Sequence, residues 1–137
     1  GLMGRGTDTL SSVLLINSFN KKFYFVGSAS GGSIAPSVLA QVVAGTLLEG
    51  EKGNLMHAIK TSRVYQGSES ELTYIEQGLA SDVVEGLTNR GHQLSFEPSL
   101  GLVNSIFCST GLPEKEEGAL CTQHSDPRGF GLSSSIK

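Results

Sequence analysis

Residues 26–43, VGSASGGSIAPSVLAQVV, compress the end of an apolar strand, a pair of adjacent glycines and the start of a helix into one short stretch. Pro36 suits the first turn of that helix, where its missing N–H leaves no intrahelical bond unmade. Val38, Leu39, Val42, Val43 and Leu47 then form a broad apolar stripe at helical spacing. Gly31 and Gly32 therefore stand at a helix N-terminus, where backbone N–H groups lack intrahelical acceptors. Such a junction can hold an anion, or the oxyanion of an acyl-transfer intermediate. The alternative is a tight strand-to-helix turn that requires glycine for its dihedral angles alone. Two phosphate or nucleophile motifs fail here. Gly27 and Gly32 have the separation of a P-loop, but Ser33 stands where its lysine belongs. The nucleophile elbow G-x-S-x-G has Ala29 at its centre.

The rest of the chain alternates short strands with helices. Leu10–Ile16 and Phe23–Val26 read as strands joined by the turn NSFNKK, forming a hairpin. Val13–Ile16 and Phe23–Val26 are wholly apolar, which predicts cover on both faces. Asn54 is placed to cap a short helix over 55–61, and Leu72–Ile75 reads as a strand. Ser81 is the expected N-cap of a helix with Asp82 in its first turn, Val83, Val84 and Leu87 facing inward, and Gly91 ending it. Leu94–Phe96 and Leu102–Cys108 read as strands, LPEKEEG as a charged hairpin loop, and the tail from Asp126 as polar loop. Strands and helices in mixed order with hairpins predict an α+β fold over residues 1–137.

Charge and composition narrow the partners. A net charge of −3 with scattered basic residues argues against nucleic acid. The run Val13–Ile16 is far too short to span a bilayer. The chain begins at Gly1 and shows no signal peptide, so it is expected to be processed or a piece of something longer, and its compartment is not legible. His57, His92 and His124 share no metal-ligand spacing and are expected at the surface. Neither a metal nor a cofactor is expected. His124, Ser125 and Asp126 are consecutive, which suits a loop better than a catalytic triad. Cys108 and Cys121 flank the charged loop and could face one another across a hairpin, although two half-buried thiols are the favoured reading in a reducing compartment. Thr7, Thr9, Ser11 and Ser12 form a hydroxyl cluster that either begins the first strand or hydrogen-bonds a carboxylate. These residues amount to half an active site, with neither nucleophile nor base.

FVGSASGGSIAPSVLAQVV resembles the glycine motif of γ-glutamyltransferases, also called glutathione hydrolases, in particular the bacterial branch with an extra small residue before the glycine pair. The resemblance continues in order through HAIKTSRVYQG (57–67), RGHQL (90–94), GLVNSIFC (101–108) and SDPRGFGL (125–132). It implies a precursor that cleaves itself into a large and a small subunit. The new N-terminal threonine of the small subunit would take the γ-glutamyl group of glutathione and pass it to water or an amino acid. The implied fold is a four-layer αββα sandwich of the N-terminal nucleophile hydrolase type. This chain would supply only the C-terminal portion of the small subunit, an incomplete domain. The nucleophile, and the acidic residue that holds the substrate amino group, would lie upstream. Its partners would be the large subunit, the N-terminal part of the small subunit and a γ-glutamyl compound such as glutathione.

The resemblance places Gly31 and Gly32 on the pair whose N–H groups form the oxyanion hole. The substrate α-carboxylate falls to Ser11 and Ser12 by identity, or to Thr9 when counting back from the glycines. Several positions depart from the family pattern. Ser62 replaces a proline before Arg63, Tyr65 and Gln66 replace a pair of histidines, and Ser12 stands where proline is common. A chain with these departures also fits a non-catalytic truncated paralogue, and the glycine turn alone fits a small anion-binding module. On either view the isolated chain is expected to be inactive.

Overall fold

The computed structural model describes residues 10–48, 54–113 and 121–129. Strands β1 (Leu10–Ile16) and β2 (Phe23–Ser30) form the expected antiparallel hairpin, with Ser12 opposite Ser28 and Leu14 opposite Val26. Asn17 closes the turn by accepting the Phe19 N–H through its side chain at 2.9 Å. β2 does not stop at Val26. It runs on through Gly27–Ser30 because that stretch is paired on both sides, by β1 and by β6 (Leu102–Leu112). With β7 (Cys121–Ser125) the order is β1-β2-β6-β7, antiparallel throughout.

Helix α1 (Ala35–Leu47) carries Pro36 in its first turn, as its sequence predicts, and buries Val38, Leu39 and Val42 against Phe25, Ala29 and Val103 of the sheet. Helix α2 (Leu55–Lys60) adds Leu55 and Ile59 to the same core, and the Asn54 side chain caps it by accepting the His57 N–H at 2.7 Å. Filling one face of a sheet with two helices in this way removes roughly 1.5–3 kcal/mol worth of exposure per large apolar side chain.

A second sheet has the order β3 (Val64–Gln66), β4 (Leu72–Glu76) and β5 (Gln93–Glu97). β3 is too short to carry a periodic signal and was not legible in the sequence. β4 and β5 run parallel, joined through α3 (Ser81–Asn89). Ala80, not Ser81, occupies the N-cap of α3, and Ser81 is its first helical residue without a capping bond. Asp82 does lie in the first turn, and Gly91 follows the helix end at φ 88°. Val83 is exposed, and Val84 and Leu87 are only half-buried, so the inward face of α3 is weaker than its pattern suggests.

Three further expectations are corrected. Residues of β1 and β2 alternate instead of being covered on both faces: Val13, Leu15 and Phe25 pack toward the helices, while Leu14, Ile16 and Val26 stay 50 %, 51 % and 46 % exposed. Cys108 and Cys121 are bonded as a disulfide across the β6–β7 pair, since the register places them directly opposite. Among the histidines, His57 is exposed, but His92 and His124 are half-buried, and His92 Nδ1 lies 2.9 Å from the Thr73 hydroxyl. No helix among the described residues is long and apolar enough to cross a membrane.

Candidate active site

β2 delivers the chain to the glycine pair at the end of the sheet, and a short 3-10 turn, Gly32–Ile34, leads into α1. Gly31 has φ 138° and Gly32 φ 65°, values that side chains disfavour. The surroundings of the two differ. A β-carbon on Gly31 would lie 3.1 Å from the Gly101 Cα and 3.0 Å from Ile34 Cγ1. One on Gly32 would meet nothing within 4 Å. Gly31 is thus tightly packed as well as in a conformation that side chains disfavour, whereas Gly32 opens onto free space. Neither the 3-10 turn nor α1 has a side-chain cap or an acidic residue in its first turn. The Ala35 N–H is bonded to the Gly32 carbonyl and Pro36 has no N–H, so a donor for negative charge at this junction would come from the Gly31–Ile34 turn itself.

The two serines sit close to this turn but on opposite faces of the sheet. Ser11 pairs with Ala29 and Ser12 with Ser28. Strand residues alternate, and Val13 and Leu15 pack on the helical core, so Ser11 shares that side. It lines a cleft with Pro36, Leu39, Ala40 and Val43. Ser12 faces the open side and begins a cross-strand row, Ser12–Ser28–Asn104–Ser125. Ser12 also lines the cleft that Ser11 enters, along the outer strand β1, so a carboxylate held there is within reach of both serines. Thr9 and Thr7 lie outside the described residues.

Beneath the glycine turn is a buried ionic cluster. Arg63, 1 % exposed, donates through Nη1 to the Leu100 and Gly101 carbonyls at 3.0 and 3.2 Å. Through Nη2 it donates to the Ile59 carbonyl at 3.1 Å and to Asp126 Oδ2 at 2.7 Å. Asp126 Oδ2 also accepts the Val103 N–H at 2.9 Å, and its Oδ1 accepts the Arg128 N–H at 3.0 Å. Glu76 Oε1 accepts from Leu100 N at 2.7 Å and Arg128 Nε at 2.6 Å, and its Oε2 accepts from Arg63 N at 3.0 Å and from Arg128 Nη2. Burial drives both carboxyls upward, but the donors outweigh it and leave Glu76 and Asp126 below the ordinary carboxylate range. Arg128 is raised: burial lowers it, and the bonds to Glu76 and Asp126 more than reverse that. Arg63 is lowered, first by burial, which opposes the direction at its partner Asp126. The carboxylate side decides, because Asp126 is gripped by close backbone and guanidinium donors, and the pair is ionic at neutral pH.

The cluster connects directly to the turn. Arg63 holds the carbonyl of Gly101, and the Gly101 backbone is the surface on which Gly31 rests. Asp126 belongs to this clamp, so its neighbours His124 and Ser125 form no triad with it. They lie in strand β7, where a loop was expected, with Ser125 opposite Asn104 on the open face and His124 opposite the buried Ser105 on the helical side. Glu76 and Gly101 escaped the sequence reading: Glu76 is one carboxylate at the end of a strand, and nothing local marks its partners, which come from positions 63, 100 and 128. Tyr65 and Gln66 are used structurally. Tyr65 stacks on Tyr74 with ring centroids 6.4 Å apart, and Gln66 accepts from the Thr73 hydroxyl at 3.2 Å.

The family model described as Gamma-glutamyltranspeptidase matches residues 4–135. Among solved structures, the chain is similar to the T380A mutant of the Helicobacter pylori gamma-glutamyltranspeptidase at 25 % identity and a TM-score of 0.78, over 94 % of this chain and 66 % of that one. An acivicin-inhibited gamma-glutamyltranspeptidase shares 27 % identity at a TM-score of 0.72, over 89 % of this chain and 62 % of that one. The Pseudomonas nitroreducens enzyme complexed with L-DON, 20 % identical at a TM-score of 0.77 over 98 % of this chain and 66 % of that one, supports the fold. The chain thus spans a little less than two thirds of the length of these solved relatives. No curated protein sequence matches it.

Proposed function

The chain belongs to the gamma-glutamyltranspeptidase family, and from that premise we propose that it is the C-terminal portion of the small subunit of a γ-glutamyltransferase. Its fold is α+β and of the N-terminal nucleophile hydrolase type. On this reading the complete enzyme takes the γ-glutamyl group of glutathione and transfers it to water or an amino acid. The nucleophilic threonine comes from upstream, activated by its own amino group in the manner of N-terminal nucleophiles. Attack on the γ-carbonyl places negative charge on its oxygen. The N–H groups of Gly31 and Gly32 are assigned to stabilise that charge, and Thr9, Ser11 and Ser12 are the candidates for the substrate α-carboxylate. The partners are the large subunit and the N-terminal part of the small subunit.

The observation that carries this reading is Gly32: positive φ, open space over its α-carbon, and an uncapped helix start beside it. A turn glycine needs the dihedral angle but not the open space. Preorganised donors aimed at developing charge typically contribute roughly 10²–10³ each in rate.

A second reading has its own observation. Tyr65 and Gln66 replace the family's histidine pair and are engaged in packing and hydrogen bonding, which suits a paralogue that keeps the fold without the chemistry. Expression of the full-length precursor separates the two. Self-cleavage on a gel together with turnover of a chromogenic γ-glutamyl anilide is expected for the enzyme. Cleavage without turnover, or neither, would establish the non-catalytic paralogue.

A further inference from the structure

We propose that Cys121 is a site of reversible S-thiolation, at which a low-molecular-weight thiol opens the Cys108–Cys121 disulfide and is carried on Cys121. The two residues are register partners on β6 and β7, 13 positions apart in sequence. Their environments are unequal. Cys108 is buried at 5 % exposure, and Cys121 is exposed. Among the described strands, β7 is the outermost of its sheet, with β6 as its neighbour. An incoming thiolate therefore reaches the sulfur of Cys121, and the sulfur of Cys108 is the leaving group.

The opposite end of β7 is held independently. Asp126, the next residue after the strand, accepts the Val103 N–H at 2.9 Å and the Arg63 guanidinium at 2.7 Å. It also accepts the Arg128 side chain at 3.1 Å. β7 is thus clamped twice, by the disulfide at its outer end and by the ionic cluster at its inner end. Opening the first clamp leaves the second intact, so the strand loosens without being released. That is what makes the exchange reversible in the folded protein.

The chemistry balances without an external oxidant. The thiolate RS⁻ attacks Cys121 Sγ, the protein S–S bond breaks, and Cys108 departs with the electron pair and takes a proton from solvent. The product is the mixed disulfide Cys121–S–S–R. Return attack by Cys108 on Cys121 expels RS⁻ and restores the original bond. A second thiol instead attacks the mixed disulfide, giving RSSR and two protein thiols, so that two thiols supply the two electrons. The thiol needs no γ-glutamyl group, and the inference stands whether or not the glycine turn is catalytic.

The test uses full-length protein under native conditions with 2-mercaptoethanol, which carries no γ-glutamyl group, followed by alkylation and peptide mass analysis. Cys121 is expected to carry the adduct, and the released Cys108 thiol the alkyl group. Hydrogen exchange is expected to quicken at residues 121–123 by roughly tenfold or more while Asp126 stays protected. As a second arm, Cys108→Ser treated with 2-hydroxyethyl disulfide should accept one adduct at Cys121, and Cys121→Ser should accept none at Cys108. The proposal is overturned if the wild-type bond survives millimolar thiol, if the adduct forms on Cys108, or if opening the bond exposes the whole chain to exchange. The wild-type arm needs no substitution, so a variant that fails to fold leaves the test standing.

Discussion

Gly31 and Gly32 share a positive φ, yet an added β-carbon would meet backbone at one and free space at the other. This difference makes Gly32→Ala the informative substitution. Strain at φ 65° costs roughly 1–2 kcal/mol, which a folded domain tolerates. In the processed full-length enzyme, kcat is expected to fall by roughly 10²–10³ while KM changes much less, because the N–H donors act on the transition state. A normal kcat would show that the glycines serve the turn alone. Gly31→Ala would drive a methyl group against Gly101 and cannot separate catalysis from folding. The serines call for a paired measurement. Ser12 lies on the open face and Ser11 toward α1. Ser12→Ala is expected to raise KM by roughly tenfold or more if its hydroxyl meets the substrate carboxylate. Ser11→Ala is expected to raise KM as well, because both serines line the cleft along β1, and an unchanged KM in either variant would remove that serine from the carboxylate site.

The elements around the turn are tied together by Arg63, Glu76, Asp126 and Arg128, drawn from α2's exit, β4 and the end of β7. Asp126→Asn removes the counter-charge of a guanidinium that is almost wholly buried. Breaking such a pair costs about 3–5 kcal/mol, because the remaining charge stays in the interior. Urea unfolding of the full-length protein should show that loss as a lower midpoint. Acid should act on the same contacts. Glu76 and Asp126 both have folded pKa values below the unfolded ones, so the folded state binds fewer protons. Their contribution is fully present above the unfolded pKa of about 4 and is lost as pH falls through the lower folded values. Stability measured on descending from about pH 6 to about pH 3 should drop, and by less in Asp126→Asn than in the parent. An equal drop in both would remove Asp126 from this account.

Among the described residues, the four-stranded sheet has one face packed by α1 and α2 and one left open. Leu14, Val26 and Ile106 lie side by side on the open face at 50 %, 46 % and 42 % exposure, and β1 and β7 are the outermost of the described strands. Exposed apolar faces and free strand edges promote association. Residues 1–137 alone are therefore expected to self-associate, to bind an apolar dye strongly and to hydrolyse no γ-glutamyl anilide. A sharp, cooperative thermal transition in a monomer would show that these residues form a self-sufficient domain. Turnover above a heat-killed control would overturn the assignment of the nucleophile to an upstream segment.

Local rules determined much of this protein. Leu10–Ile16 as a strand, Pro36 at a helix start, Asn54 as a cap and Gly91 at a helix end all follow from residues within a few positions of one another, because sterics, capping bonds and periodicity act at that range. The glycine pair was visible for the same reason. Other features depend on what each segment meets in space. β2 extends through Gly27–Ser30 because β6 lies alongside it, and Leu14 and Val26 remain exposed because nothing among the described residues covers them. Glu76 becomes part of a clamp only when residues 63, 100 and 128 converge on it. The same holds for the glycines. Their sequence sets the backbone conformation, but tertiary packing decided that Gly31 rests on Gly101 while Gly32 faces open space, because neighbours distant in the chain determine which of two identical residues has room above it.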